Sequence, residues 1–339
     1  MKDELKKIID ISRDIGQCLD LVQGAGGNFS IKIDKRKMLI KASGLRMSEI
    51  SENNGLVAVD YGKISKYYDD FKPFSASELN SIDFINSCVL EKIGSEKYKP
   101  SIETGFHALL GKYVIHTHSV YANIIACALN GESLLEKIFQ DFGIDIIWLS
   151  YSNPGLQLAL CVKEAVDKYK SKYNKIPEAI LMQNHGLIVS GNNLNGVFKL
   201  HNEIQETIKA RLNLGDNFPK IKISETRGGF ESQTRYLKDF IKNNYFSIEN
   251  FSKNILFPDQ AVFCNSIGEK ILINEATGDI FYKASQKEAL AIEENLTAWA
   301  HIVNCAKNRG LNLNFISQDN INYISNMESE KYRQQLLRK

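Results

Sequence analysis

The sequence predicts a layered α/β domain of roughly 215 residues followed by a smaller C-terminal α+β segment. Two observations predict this division. Apolar residues at helical spacing alternate with short apolar strands as far as residue 213, and the chain then becomes polar from 216 to 229. We therefore expect a domain over 1–215, a linker over 216–229 and a C-terminal domain over 230–339.

Composition limits the classes of partner. The 42 basic and 40 acidic residues give a formal charge of +2, without a dense basic block, so nucleic acid is not an expected partner. No apolar run approaches the roughly 20 residues of a membrane span, and the N-terminus lacks a signal core, so we expect no membrane association and a cytoplasmic protein. The six cysteines are scattered without CxxC pairs, which favours buried, reduced thiols.

The first domain alternates helices and strands. Apolar residues recur at helical spacing from Leu5 to Val22, which predicts an amphipathic helix over 2–21. The glycine cluster over 24–27 follows this helix, whereas a dinucleotide-binding loop follows a strand, so we reject that interpretation. The elements expected next are, in order, a hairpin over 29–42, a strand over 56–61, helices over 76–93 and 103–110, a strand over 112–118, a helix over 120–129, a strand over 144–149, a helix over 156–172, strands over 179–182 and 187–189, and a helix over 194–213.

The C-terminal domain has weaker signals. A short helix is expected over 234–243, and strands over 260–265, 270–274 and 280–283. A long helix should begin at Ser285, because Ser285 and Glu288 have the spacing of a capping box, and Gly310 stands where such a helix ends. Residues 230–339 contain no evident group of chemically active residues, so a packing role is favoured over an oligomerisation role.

Histidines provide the strongest functional signal. His116 and His118 flank one residue of a predicted strand, where positions i and i+2 project from the same face about 6.5 to 7 Å apart. A third imidazole from His185, with the carboxylate of Glu103, would complete an open catalytic zinc site. Spacing alone leaves open whether these histidines are ordinary structural residues, because it cannot bring His185 near the other two. We expect His107 to be hydrogen-bonded within the domain, and His201 and His301 to be structural.

Three small, polar segments form a candidate phosphate site. They contain Asn28, Ser43 with Gly44, and Ser101, which could supply backbone N–H and hydroxyl donors to an anion, while Lys41 could add a charge. They could equally be ordinary turns.

Five motifs together resemble the class II aldolase/adducin family over about residues 1–215. They are, in order, Gly26-Gly27-Asn28-Phe29-Ser30, Lys41-Ala42-Ser43-Gly44, Pro100-Ser101-Ile102-Glu103, His116-Thr117-His118 and Asn184-His185-Gly186-Leu187. The resemblance implies a three-layer α/β/α fold with a central, largely antiparallel sheet, assembled as a homotetramer with sites between subunits. It also implies three groups of site residues: zinc ligands (His116, His118, His185), a catalytic acid/base (Glu103) and a phosphate-binding set (Asn28, Ser43, Gly44, Ser101).

Two departures from the family pattern bear on function. Ile102 stands where aldolases of the family often have a second serine, and residues 137–141 lack the tyrosine that some of them use as a proton donor. Tyr121 and Tyr151 are near in sequence, but nothing assigns either of them that role.

The function implied is that of a lyase dependent on Zn²⁺ or another divalent transition metal. It would break or form a C–C bond in a ketose phosphate through a metal-stabilised enediolate, with Glu103 moving the proton. We expect burial to raise the pKa of Glu103, and the nearby cation to limit that rise. A dehydratase or decarboxylase of the same family is one alternative, and a non-catalytic adducin-like interaction module is another.

Overall fold

The computed structural model describes residues 2–71, 78–215 and 218–337. An eight-stranded sheet forms the centre of the first part of the chain, and all of its neighbouring strands are antiparallel except β6 and β7. Its strand order is β4-β3-β2-β1-β5-β8-β7-β6. The strands are β1 (Asn28–Lys32), β2 (Lys37–Lys41), β3 (Leu56–Asp60), β4 (Val89–Ile93), β5 (Tyr113–Thr117), β6 (Ile146–Leu149), β7 (Ala179–Met182) and β8 (Gly186–Gly191).

Helices cover both faces of this sheet. They are α1 (Lys2–Gln17), α2 (Tyr61–Asp69), α3 (Glu78–Ser87), α4 (Thr104–Leu109), α5 (Val120–Ala126), α6 (Gly131–Phe139), α7 (Leu156–Tyr173) and α8 (Leu194–Arg211). Alternate residues of a strand enter different cores: Ile115 packs into one, and Val114 packs into the other with Phe106 of α4. The layered α/β/α fold and the largely antiparallel sheet are therefore confirmed. Among the described residues, no helix combines the length and apolar character needed to cross a lipid bilayer.

The C-terminal part adds a second, four-stranded sheet in the order β11-β12-β10-β9. Its strands are β9 (Ile223–Thr226), β10 (Gly229–Ser232), β11 (Ile271–Asn274) and β12 (Asp279–Tyr282), and its helices are α9 (Arg235–Phe240), α10 (Ile248–Lys253), α11 (Pro258–Phe263), α12 (Gln286–Asn308), α13 (Gln318–Asn326) and α14 (Glu328–Leu337). Helix α12 packs against α5, so the apolar core of the first domain continues into the C-terminal part. The Ser285 hydroxyl accepts a hydrogen bond from the Glu288 N–H, as the capping box predicts.

Three expectations on secondary structure were wrong or incomplete. The strand expected over 260–265 is wrong, because helix α11 continues to Phe263: Pro258 at its first turn favours helical backbone, and every residue of this short helix is buried. The helix expected over 76–93 ends at Ser87, and Val89–Ile93 instead pairs with β3; residues 76 and 77 lie outside the described residues. The segment 216–229 contains β9, and the position of the domain boundary stays a prediction.

Candidate metal centre

His116 and His118 project from the same end of the sheet. His116 lies in β5 on the same face as Val114, and His118 follows one residue beyond the strand. Both side chains are buried, and their Nε2 atoms lie 3.0 Å apart. The alternation of a strand therefore brings these imidazoles together, as the His-x-His spacing predicts.

Hydrogen bonds determine which nitrogen of each ring carries the proton. Nδ1 of His116 donates to the carbonyl of Leu187 at 3.0 Å, and Nδ1 of His118 donates to Oδ2 of Asp259 at 2.7 Å. Burial lowers the pKa of His116 to about 3, although Glu103 opposes this, so its ring is neutral. The Nε2 atoms of the two rings thus face each other, an arrangement that a shared cation would stabilise.

His185 completes the group from the turn between β7 and β8. One ligand nitrogen from each of the three histidines lies within 4.8 Å of the others. The turn depends on Asn184, which has a left-handed φ of 53° and whose amide donates to the carbonyls of Leu256 and Asn314. Nδ1 of His185 is buried and has no hydrogen-bond partner among the described residues.

This donor set fits a divalent metal. Zinc bonds imidazole nitrogen at about 2.0–2.1 Å in tetrahedral geometry, which places two ligand nitrogens roughly 3.3 Å apart. The 3.0 Å between His116 and His118 is close to that value. Three imidazoles with a fourth position open to substrate are typical of catalytic zinc, and we infer that the group could hold such an ion.

Glu103 lies against the histidines. It occupies the N-cap position of α4 and is buried, with Oε1 3.0 Å from His185 Nε2 and Oε2 3.5 Å from His116 Nε2. Burial alone raises the pKa of Glu103, but the imidazoles of His116, His185 and His118 hold it well below its usual value. The expected net rise was therefore wrong, and the side chain is a carboxylate in neutral solution.

A chain of hydrogen bonds orients this carboxylate. Asn28 lies opposite His116 in the β1–β5 ladder, and its Nδ2 donates to Glu103 Oε2 at 2.6 Å. Burial lowers the pKa of His107 to about 3, so its neutral ring donates from Nε2 to Asn28 Oδ1 and accepts at Nδ1 from Ser30 Oγ, 2.7 Å away. His107 is thus hydrogen-bonded within the domain, as expected, and it fixes the orientation of the Asn28 amide.

The residues expected to bind phosphate line one small cavity beside the histidines: Asn28, Ser43, Gly44 and Ser101. The Asn28 amide is already bonded to Glu103, Ser101 and His107, so its donors are directed at protein groups. Lys41 also lines the cavity, but its amino group donates to the carbonyls of Ala25 and Leu45, and burial lowers its pKa to about 7. Whether this set binds phosphate stays a prediction.

The C-terminal part supplies further residues to the same cavity, which sequence reasoning missed. Asp259 of α11, and Glu330 and Arg333 of α14, line its wall. A Cβ atom on Gly44, whose φ is +80°, would lie 2.5 Å from the Leu336 side chain, so α14 packs directly over this glycine. No local spacing connects these residues to the histidines, and no sequence signal could have identified them.

The cavity is narrow. The volume open to water is about 30 Å³, which is room for about two water molecules. Neither Tyr121 nor Tyr151 is among the residues that line it.

Comparisons with known proteins bear on the first part of the chain. The sequence model of the class II aldolase and adducin N-terminal domain matches residues 6–212. A Bacillus subtilis (strain 168) protein named uncharacterized oxidoreductase YuxG is 28% identical over 229 residues, which cover 63% of this chain and 31% of that protein. The chain thus spans less than a third of the length of this curated relative.

One solved structure supports the fold, and a second is reported beside it. The N-terminal class II aldolase domain of a conserved protein from Thermoplasma acidophilum is 23% identical, with 60% of this chain and 91% of that chain covered and a TM-score of 0.50. A sugar-phosphate aldolase from Thermotoga maritima is 17% identical, with 64% and 98% covered and a TM-score of 0.45.

Proposed function

The chain belongs to the class II aldolase and adducin family, and from that premise we propose that it is a zinc-dependent lyase that breaks or forms a C–C bond in a ketose phosphate. The observation that carries the proposal is the group of His116, His118 and His185, with nitrogens within 4.8 Å of one another and the buried carboxylate of Glu103 in contact. A structural histidine cluster has no need of such an acid, whereas an aldolase-type reaction does.

The chemistry is divided between the ion and the protein. A divalent cation bound by the three histidines would act as a Lewis acid on the carbonyl and adjacent hydroxyl of a substrate. Glu103 would remove a proton from the carbon next to that carbonyl in the synthetic direction and return it to the same carbon in cleavage. Because the pKa of Glu103 is low, this transfer requires a polarised substrate whose C–H bond has become acidic.

Asn28 and His107 support this role. The Asn28 amide donates to Oε2 of Glu103, while Oε1 contacts His185 and would face the reacting carbon of a bound substrate. His107 prevents the amide from turning, because its Nε2–H requires the Asn28 oxygen. These contacts restrict the rotation of the Glu103 carboxylate. A productive proton transfer needs this restriction, because the carboxylate has to be held in one orientation.

The phosphate of the substrate would lie toward Ser43, Gly44 and Ser101, with Lys41 at the cavity wall. Because the open volume is about 30 Å³ and Leu336 of α14 lies over Gly44, we expect α14 to move away when a sugar phosphate binds. We therefore expect substrate to enter when α14 opens.

One alternative is favoured by a specific observation. Residues 137–141 lack a tyrosine, and Tyr121 and Tyr151 lie outside the cavity lining, so a dehydratase or decarboxylase that needs no such donor is the second candidate. A non-catalytic adducin-like module is disfavoured because all three histidines and Glu103 are retained in contact. Cytoplasmic location and a homotetramer stay predictions.

The test is a screen of ketose phosphates with zinc-loaded protein, with detection of aldehyde and dihydroxyacetone phosphate. We expect cleavage of at least one substrate, and loss of that activity after chelation and recovery with Zn²⁺. Release of water or carbon dioxide without C–C cleavage to an aldehyde would favour the second candidate. A protein that holds no metal and turns over no compound of this class would contradict the proposal.

A further inference from the structure

Asp259 contacts the candidate metal centre from outside the matched family domain. It belongs to α11, beyond residues 6–212, and its side chain is 1% exposed. Its Oδ2 accepts a hydrogen bond of 2.7 Å from Nδ1 of His118, 141 positions earlier in the chain. This contact joins the C-terminal part of the chain to the histidine group.

The Asp259 carboxylate determines the protonation pattern of the His118 ring. A carboxylate can only accept at this distance, so Nδ1 of His118 carries a proton and Nε2 is the nitrogen directed toward His116. A neutral imidazole binds a metal through the nitrogen that lacks the proton.

Arg333 fixes the orientation of this carboxylate. Its Nη2 donates to Asp259 Oδ1 at 2.9 Å, while its Nη1 donates to Glu330 Oε2 at 2.8 Å. Both oxygens of Asp259 therefore accept from a nitrogen donor, one on His118 and one on Arg333. An amide at position 259 could accept from only one of them and would present its NH₂ group to the other.

The loop before β1 leaves room for the hydrogen bond between Asp259 and His118. A Cβ atom on Gly26 would lie 2.6 Å from Asp259 Oδ2 and 2.8 Å from His118 Nδ1. A side chain at this position would enter the hydrogen bond itself. Gly26 is therefore required where these two side chains meet.

We propose that Asp259 is a positioning residue of the metal centre, supplied by the C-terminal part, which holds His118 in the tautomer and orientation that bind the cation. The inference rests on the proposed function, because it assumes that the three histidines bind a metal. Carboxylates in this position behind a ligating histidine typically change metal affinity by about 10–100-fold. The C-terminal part would thus contribute to the site as well as to packing.

The test measures zinc affinity by competition with a chromogenic chelator. We expect Asp259→Asn to weaken zinc binding by about 10–100-fold, and Gly26→Ala to weaken it in the same direction. Asp60→Asn is the matched control, since Asp60 is also buried and bonded to an arginine, Arg36, but lies outside the cavity lining. Zinc affinity of this control should stay within about twofold of the wild type. Circular dichroism verifies that each variant is folded.

The outcomes separate the two proposals. If wild-type protein binds zinc and folded Asp259→Asn binds it equally well, the positioning role is overturned and the proposed function stands. If wild-type protein binds no zinc, both fail. If Asp259→Asn does not fold, nitrogen NMR of ¹⁵N-histidine-labelled, zinc-loaded wild type decides: a protonated Nδ1 and a metal-bound Nε2 on His118 support the role, and binding through Nδ1 overturns it.

Discussion

Oε1 of Glu103 lies 3.0 Å from Nε2 of His185, although 82 positions separate them in the sequence. The Glu103 carboxylate thus contacts an imidazole that would also bind the metal. We predict that Glu103→Gln binds zinc but loses turnover by roughly 100-fold or more, because the amide has the shape of the acid but cannot carry the proton.

This prediction is checked by measuring two quantities for the variant: its turnover of the substrate found in the ketose phosphate screen, and its zinc content. Glu132→Gln, in the first turn of α6 and outside the cavity lining, is the control and should keep wild-type turnover. A Glu103→Gln enzyme with full activity would rule out Glu103 as the acid/base.

His116→Ala is predicted to lose stoichiometric zinc. Removal of the His116 imidazole leaves two histidine ligands, and the buried Nε2 of His118 loses its contact with His116 Nε2 at 3.0 Å. Elemental analysis of purified protein measures the metal. His301→Gln, a buried histidine of α12 outside the cavity lining, should keep one equivalent of zinc. Equal zinc content in both variants would contradict the assignment.

Arg333→Gln should make helix α14 separate more often from the rest of the protein. The change removes charged hydrogen bonds to Asp259 and Glu330, each worth about 1.5–3 kcal/mol in favourable contexts, so amide exchange over 328–337 should rise by at least about tenfold. Hydrogen exchange with mass spectrometry measures this, and the strands of the large sheet should keep their protection.

Arg235→Gln is the control for that experiment, because its side chain is 93% exposed in the ion pair with Asp239. Unchanged exchange over 328–337 in Arg333→Gln would show that this arginine does not hold the helix.

Acid should destabilise the zinc-free protein partly through His201. Burial lowers the pKa of His201 to about 4 from its usual 6.5. Below about pH 6.5 the unfolded chain therefore binds a proton that the folded protein does not. His201 therefore does not weaken the fold above about pH 6.5. As the pH falls from 6.5 toward 4, the free energy of unfolding decreases by up to about 1.4 kcal/mol per pH unit.

Urea unfolding at several pH values between 7.5 and 4.5, with chelator present, measures the slope. His201→Gln should have a shallower dependence than the wild type. Lys199→Gln, an exposed change on the same helix, should not alter the slope. Identical slopes in all three proteins would be inconsistent with a depressed pKa at His201.

The part of the site that sequence could predict depends on local periodicity and on motifs. Two-residue alternation in β5 placed His116 and His118 on one face, and the order of the five motifs indicated that His185 and Glu103 would join them. The helix start at Ser285 was predicted correctly for the same reason, since the hydrogen bond from the Glu288 N–H to the Ser285 hydroxyl joins residues three positions apart.

The rest depends on tertiary contacts that no local pattern encodes. Asp259 reaches His118 over 141 positions, and Arg333 reaches Asp259 over 74. The apolar run after Pro258 has no period that distinguishes a buried helix from a buried strand, which explains the wrong assignment over 260–265. The pKa of Glu103 depends on the neighbouring imidazoles, whose positions exist only in the folded chain.

Anomalous X-ray diffraction at the zinc absorption edge, from crystals of the zinc-loaded protein, tests the central claim most directly. The account predicts a peak about 2.0–2.1 Å from one nitrogen each of His116, His118 and His185. A zinc ion bound elsewhere, or a His185 ring too distant to coordinate the ion held by the other two, would contradict it.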